Sequence, residues 1–260
     1  MVCVYDSGVG GLTALAALRR AAPLCNVLYL GDTARVPYGT RDAATVCRYA
    51  QAALSYLSAY HPSAVLVACG TVSTVFLPSV PQGLYRFPLF GVAEAGVRAA
   101  VAAAPHGRVA VLGTEATVRG GYFARRLREE MPHASVTSLA CPLFVSLAEC
   151  GLVARGDPIP AMAVERMLAP LIPRMPEVIL LGCTHFPWLA PHIAHLFPEA
   201  ALIDCGEAAV RELTPLLAGE GGEGRTEYLV TEGAEAFGRF AARMTGHSLG
   251  DAIREITLPI

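Results

Sequence analysis

Lysine is absent from this chain of 260 residues; all 20 of its basic residues are arginine. A pyridoxal phosphate enzyme forms its internal Schiff base through a lysine, so that route is closed. A Walker A phosphate loop is closed on the same ground, because its lysine reaches the phosphates. Coding bias rather than selection is the simpler origin of the gap, and the exclusion holds either way. The sequence also has no apolar run of about 18 residues, so it offers no membrane-spanning helix. Met1-Val2-Cys3-Val4-Tyr5-Asp6 lacks the basic start and the apolar core of roughly 7–15 residues that mark a signal peptide. No CxxC pair occurs, and the eight cysteines are scattered singly. In a chain of this size that pattern suits reduced thiols in a cytoplasm better than disulfides. A formal charge of −2 argues against nucleic acid or an anionic membrane as an obligatory partner.

What is present is apolar. A chain that is 53% hydrophobic can bury a large core, in one large domain or two ordinary ones. Strands are expected at Cys3–Tyr5, Val27–Leu30, Val65–Ala68, Leu89–Val92, Val109–Leu112, Ser135–Leu139, Val178–Leu181 and Ala201–Ile203. Helical patterns lie between them, such as Leu12–Ala22, Ala43–Tyr60, Gly121–Met131 and Pro160–Arg174. Val/Ile/Leu-rich strands alternating with helices read as a doubly covered, mostly parallel sheet, hence an α/β fold. The glycine-rich stretch Gly219–Gly224 reads as an exposed loop.

The chain also echoes itself. Ala64-Val-Leu-Val-Ala-Cys69-Gly-Thr71 parallels Val178-Ile-Leu-Leu-Gly-Cys183-Thr-His185, and Val4-Tyr-Asp6-Ser-Gly-Val-Gly parallels Val111-Leu-Gly-Thr114-Glu-Ala-Thr117. The offsets, 114 and 107 residues, are similar. Chance likeness of apolar strands is the competing explanation. We expect two similar open, mostly parallel-sheet domains facing across a cleft, one formed by residues 1–95 and completed by 206–260, the other by 96–205.

Ligands of open α/β sheets bind outside the carboxyl ends of the strands, where Cys69 and Cys183 both fall. Two thiols flanking one ligand suit inversion at carbon, in which one base removes a proton and a second group delivers one to the opposite face. One thiol must then be a thiolate, which backbone N–H donors at a strand-to-helix turn favour. Thr71, Thr184 and His185 are neighbouring helpers, and the carboxylates Asp6 and Glu149 are expected in loops where they can relay protons. A lone cysteine at a strand end is usually a small buried apolar residue, and Cys3, Cys25, Cys47, Cys150 and Cys205 are read that way.

These stretches resemble glutamate racemases, within the aspartate/glutamate racemase family, over nearly the whole chain. The likeness is carried by Asp6-Ser-Gly-Val-Gly-Gly11, Gly31-Asp-Thr-Ala-Arg-Val-Pro-Tyr-Gly39, Ala68-Cys-Gly-Thr71, Gly91-Val-Ala-Glu94, Thr114-Glu-Ala-Thr117, Cys141-Pro-Leu-Phe144 with Glu149, and Leu181-Gly-Cys-Thr-His-Phe-Pro187, in the family's order. The resemblance implies racemisation of glutamate at an interdomain site, with no metal and no cofactor. It assigns Cys69 to deprotonation of D-glutamate and Cys183 to that of L-glutamate, with Asp6 assisting the first thiol and His185 and Glu149 the second. Ser7, Pro37, Tyr38, Gly39, Gly70, Thr71, Thr117 and Thr184 would line the substrate pocket, although ordinary turn chemistry would also explain Pro37-Tyr38-Gly39. A bacterial cytoplasmic enzyme supplying D-glutamate for peptidoglycan, and a homodimer, is implied as well.

Three positions depart from the family pattern: Gly70 stands where Asn is usual, Gly120 where Ser is, and Ala95 where Pro is. A lost amide hydrogen bond at residue 70 would cost about 1–3 kcal/mol, although a glycine N–H or a water can substitute. If the amide is what binding lacks, Gly70→Asn should lower the KM for glutamate.

Rival readings remain open at this point. Cys183, His185, His192 and His195 include an HxxH pair that could serve a metal, but Pro187 and Pro191 interrupt the segment and the two later histidines fit a solvated helix. Gly8-Val-Gly-Gly11 after a strand suggests a dinucleotide turn with Asp32 beyond it, yet the third glycine comes too early. A racemase of aspartate or a hydantoin, or a weakened paralogue that binds glutamate for regulation, shares the same residues.

Overall fold

The computed structural model describes residues 1–219, 221–245 and 252–259. The chain begins β1 (Val2–Asp6), α1 (Leu12–Ala21), β2 (Val27–Gly31), α2 (Ala43–Ser58), β3 (Ala64–Val67), α3 (Gly70–Val75), β4 (Leu89–Gly91) and α4 (Val92–Ala103). It continues with β5 (Arg108–Gly113), α5 (Glu115–Gly120), α6 (Tyr122–Glu130), β6 (Ser135–Ala140), α7 (Pro142–Glu149), α8 (Pro158–Leu168), β7 (Val178–Leu181), α9 (Ala190–Leu196) and β8 (Ala201–Asp204). The remainder is α10 (Cys205–Leu213), β9 (Thr226–Val230), α11 (Ala234–Thr245) and β10 (Ile253–Glu255).

Two sheets form, ordered β10-β9-β2-β1-β3-β4 and β6-β5-β7-β8, and every strand pair in both is parallel. The order β2-β1-β3-β4 is repeated by β6-β5-β7-β8, so the echo in the sequence is a repeated unit in space: β1 answers to β5 and β3 to β7. The first sheet then gains β9 and β10 beside β2.

The central strands β1, β2, β3 and β7 are buried at every position, as expected where helices cover both faces. Side chains alternate between the faces. Val2, Val4, Tyr29 and Leu66 point into a core shared with Val109, Val111, Val178 and Leu180 of the second sheet. That core also holds Val92, Val97 and Ala100 of α4 and Ala209, Val210 and Leu213 of α10. Cys3, Tyr5, Leu28, Leu30, Val65 and Val67 face a second core beneath α2, while Ala110, Leu112, Ile179 and Leu181 face a third, with Phe144 and Leu168. The expected domain limits at 95/96 and 205/206 thus fall in α4 and at the start of α10, the helices that fill the shared core.

Several local expectations change. Val92, read as the end of a strand, opens α4. The helix expected over Pro160–Arg174 starts at Pro158, where the Asp157 side chain accepts the Ile159 N–H at 2.9 Å. It gives way after Leu168 to a 3₁₀ segment containing Pro170 and Pro173, because proline cannot continue the α-helical ladder. β9 and β10 were not expected, since Thr-Glu-Tyr and Ile-Arg-Glu dilute any apolar alternation. The expected loop Gly219–Gly224 is largely exposed, apart from residue 220, which lies outside the described residues.

Candidate active site

Each sheet reverses direction at its first strand. The chain passes from β1 to β2 on one side and later places β3 on the other, and it does the same from β5 to β6 and β7. The crevice at such a reversal is where open α/β sheets bind ligands. Asp6 ends β1, and Cys69 lies two residues past the end of β3, directly before α3. Thr114 follows β5 and caps α5, its hydroxyl accepting the Thr117 N–H. Cys183 lies two residues past β7. Both reversal points open onto one cavity of about 290 Å³.

From the first sheet's side this cavity is lined by Ser7, Cys69, Gly70 and Thr71, with the segment Val36–Thr40 as a wall. From the second it is lined by Glu149, Cys183, Thr184 and His185. Of the residues singled out in the sequence, Asp6 and Thr117 do not line it. Asp6 is fully buried behind Ser7, and Thr117 stands behind Thr114, hydroxyl to hydroxyl at 3.0 Å. Thr114 itself does line the cavity, as do Glu115 and Ser146. These three were not singled out as site residues; the cap signature at Thr114-Glu-Ala-Thr117 was the available clue, since an N-cap after a strand stands at the strand's carboxyl end. Asp6 and Glu149, expected in loops, instead end a strand and a helix, which places them more firmly.

The two sulfurs have different company. The Cys69 thiol donates to the Ser7 hydroxyl at 3.4 Å. Burial pushes it up to about 12, helped by the Asp6 carboxylate, while Ser7 and the Val72 N–H oppose the shift. Cys183 Sγ instead lies 3.6 Å from Nδ1 of His185, whose Nε2 is 3.1 Å from Glu149. Burial disfavours the imidazolium, but the contacts with Cys183 and Glu149 outweigh it, with the Asp6 carboxylate adding to them, and His185 is held up at about 10. Burial also raises Asp6, against His185 and the N–H groups of Gly11, Gly8 and Ser7. Its Oδ2 accepts the Gly8 N–H at 3.0 Å, and its Oδ1 has no partner among the described residues. Among the described residues that line the cavity there is no arginine, so hydroxyls, backbone N–H groups and His185 are what it offers to an anion.

The wall is braced from behind. Tyr38 is buried, donates to Asp32, and accepts from Tyr5 at 3.2 Å. Asp32 also takes Arg35 at 2.7 Å and Thr231 at 2.9 Å. Committed to these groups, Asp32 is not free to hold a ribose as a dinucleotide site requires. The nearby glycines have another use too. A Cβ on Gly10 would stand 2.8 Å from the His185 ring, and one on Gly39 would stand 2.8 Å from Thr114 Cβ. At Gly70 it would overlap the carbonyl oxygen of Gly182. Glycine at these points lets the two sheets' loops meet around the cavity.

The metal reading loses its ligands. His192 is buried on α9, not solvated as expected, whereas His195 is exposed. Among the described residues no group of three or more His, Cys, Asp or Glu is placed to hold a metal ion.

The family model for Asp/Glu/hydantoin racemases matches residues 13–213. The chain belongs to that family. A glutamate racemase of Thermus thermophilus is 41% identical, over 98% of this chain and 95% of the relative. Among solved racemases of the family, a glutamate racemase isoform from Bacillus anthracis superposes with a TM-score of 0.92 at 28% identity, covering 100% of this chain and 98% of that one. The Thermus thermophilus glutamate racemase in complex with β-chloro-D-alanine gives 0.87 at 39% identity, covering 99% and 96%. No helix among the described residues is long and apolar enough to cross a membrane.

Proposed function

We propose that the protein interconverts L- and D-glutamate by proton transfer at the α-carbon, with Cys69 and Cys183 as the two acid–base groups and no cofactor. The observation that carries this reading is that two thiols, one from each sheet's reversal point, line the same cavity. Relatives that match over 95–98% of the chain are glutamate racemases, which supports glutamate as the substrate.

The unequal surroundings of the thiols support a reading in which Cys183 starts as the base and Cys69 as the acid. His185 Nδ1 lies 3.6 Å from Cys183 Sγ, so this thiol has a partner within reach that can take up or return its proton. Cys69 has a neutral hydroxyl and an anionic neighbour, and stays protonated. In this state Cys183 takes the α-proton from one face of L-glutamate while Cys69 gives its proton to the other face, yielding D-glutamate, a Cys183 thiol and a Cys69 thiolate. The reverse direction starts from that second state, with Asp6 helping to hold the Cys69 proton. Residues 1–95 with 206–260, and 96–205, act as two lobes around the reaction. D-glutamate serves peptidoglycan synthesis in a bacterial cytoplasm, and the enzyme works as a homodimer.

Incubation with either enantiomer in D₂O tests the reaction. Loss of optical activity should accompany incorporation of deuterium at the α-carbon, and product of inverted configuration should carry the label first. Unchanged rotation with no exchange would sink the reading. The starting state has its own test. Brief iodoacetamide treatment of the free protein near neutral pH should alkylate Cys183 well before Cys69, as read by peptide mass mapping. Equal or faster labelling of Cys69 would reverse the assignment.

A further inference from the structure

Two routes lead from α11 to the imidazole of His185, and both start outside the cavity. Along the first, the Arg243 guanidinium donates to the carbonyl oxygens of Glu149 at 3.0 Å and Cys150 at 3.2 Å. These carbonyls close α7, and a cation there meets the negative end of the helix and satisfies acceptors the helix leaves open. Helix α7 stops because Gly151 adopts φ +72°, which lets the Leu152 N–H turn back to the Leu147 carbonyl at 2.8 Å. A Cβ on Gly151 would come within 2.6 Å of the Arg243 guanidinium, so the same glycine provides both the turn and the seat for the arginine. The side chain of Glu149, the residue whose carbonyl Arg243 holds, reaches His185 Nε2.

Along the second route, Phe240, three residues before Arg243 and on the same face of α11, meets Trp188 edge-on at 5.4 Å between centroids. Trp188 in turn meets the His185 ring edge-on at 5.9 Å. The two routes grip His185 through different neighbours. They matter because the Glu149 side chain is 41% exposed, and an ion pair that open to water contributes little. Such a carboxylate does not fix its own position.

We propose that Arg243 and Phe240 are positioning residues, through which α11, attached to the six-stranded sheet, holds the Glu149–His185 pair of the other sheet in line with Cys183. The kinetic part of the test rests on the racemase reading; the spectroscopic part does not. In protein carrying ¹³C-labelled histidine, Arg243→Ala should lower the pH at which His185 titrates, where Cys183, Glu149 and Asp6 are the ionisable groups that bear on it. It should also lower kcat by about tenfold, as small misplacements near a reacting centre do, with KM little changed. Arg243→Lys, which keeps a donor for the two carbonyls, should recover part of both effects. Phe240→Leu should move the titration in the same direction. In a Glu149→Gln background, Arg243→Ala should cost almost nothing further, since both act through one carboxylate. An unmoved His185 titration in Arg243→Ala, or losses that add in the double variant, would overturn the assignment. If the wild type failed to racemise glutamate, the titration would still decide it.

Discussion

Cys69→Ala and Cys183→Ala are each expected to abolish racemisation, a loss of at least roughly 10²–10⁴-fold, the usual worth of a positioned acid–base group. The loss should be as severe for one thiol as for the other, because inversion needs a group on each face of the carbon and neither can stand in for its counterpart. What survives should differ. Cys183→Ala keeps Cys69 and should still exchange the α-proton of D-glutamate with solvent, returning it to the same face. Cys69→Ala should do the same for L-glutamate. Each variant removes only a sulfur from a buried site, so the fold is expected to persist and circular dichroism should be unchanged. Near-normal racemisation by either variant would refute the two-thiol mechanism. Exchange of the wrong enantiomer would interchange the roles of the two residues.

That those two cysteines stand at one cavity was legible because of what surrounds them in the sequence. An apolar run buried on both faces, cut off by cysteine and then by a hydroxyl or imidazole, is a strand's carboxyl end with chemistry attached. The repeat was legible for a similar reason, as the similar spacing from β1 to β5 and from β3 to β7 survives in the positions of buried residues. Polar strands left no such trace. β10, with Ile-Arg-Glu, is an edge strand whose pairing with β9 supplies a backbone ladder that side-chain pattern does not report. Contacts remote in sequence were also hidden. Nothing around Arg243 indicates that it seats on the end of α7, nor does anything around His192 indicate that it is buried, because both facts depend on which helix the fold lays against them.

Gly70→Asn is the case in which the structure reverses an expectation formed from sequence. Gly70 lines the cavity, and if a side chain there could project into it, an asparagine would add an amide for substrate and lower KM. The Cα of Gly70, however, packs against the far side of the cleft. A Cβ there would overlap the Gly182 carbonyl oxygen, lie 3.3 Å from that carbonyl's carbon, and stand 3.7 Å from Cys183 Cα. The obstruction is backbone, so no side chain can swing away to relieve it. Either the loop carrying Cys183 retreats or the two loops separate, and overpacking of this kind costs about 1–3 kcal/mol. Expressed wholly in the transition state, that is roughly a five- to 150-fold fall in kcat/KM. Gly70→Ala makes the same first collision without the amide and should fall to a similar extent, whereas Gly120→Ser, at a position with nothing within 4 Å of a built Cβ, should be close to neutral. A lower KM in Gly70→Asn with kcat intact would mean that the loops around the two thiols yield more readily than their contact implies, and that the missing amide, rather than the closeness of the sulfurs, limits this site.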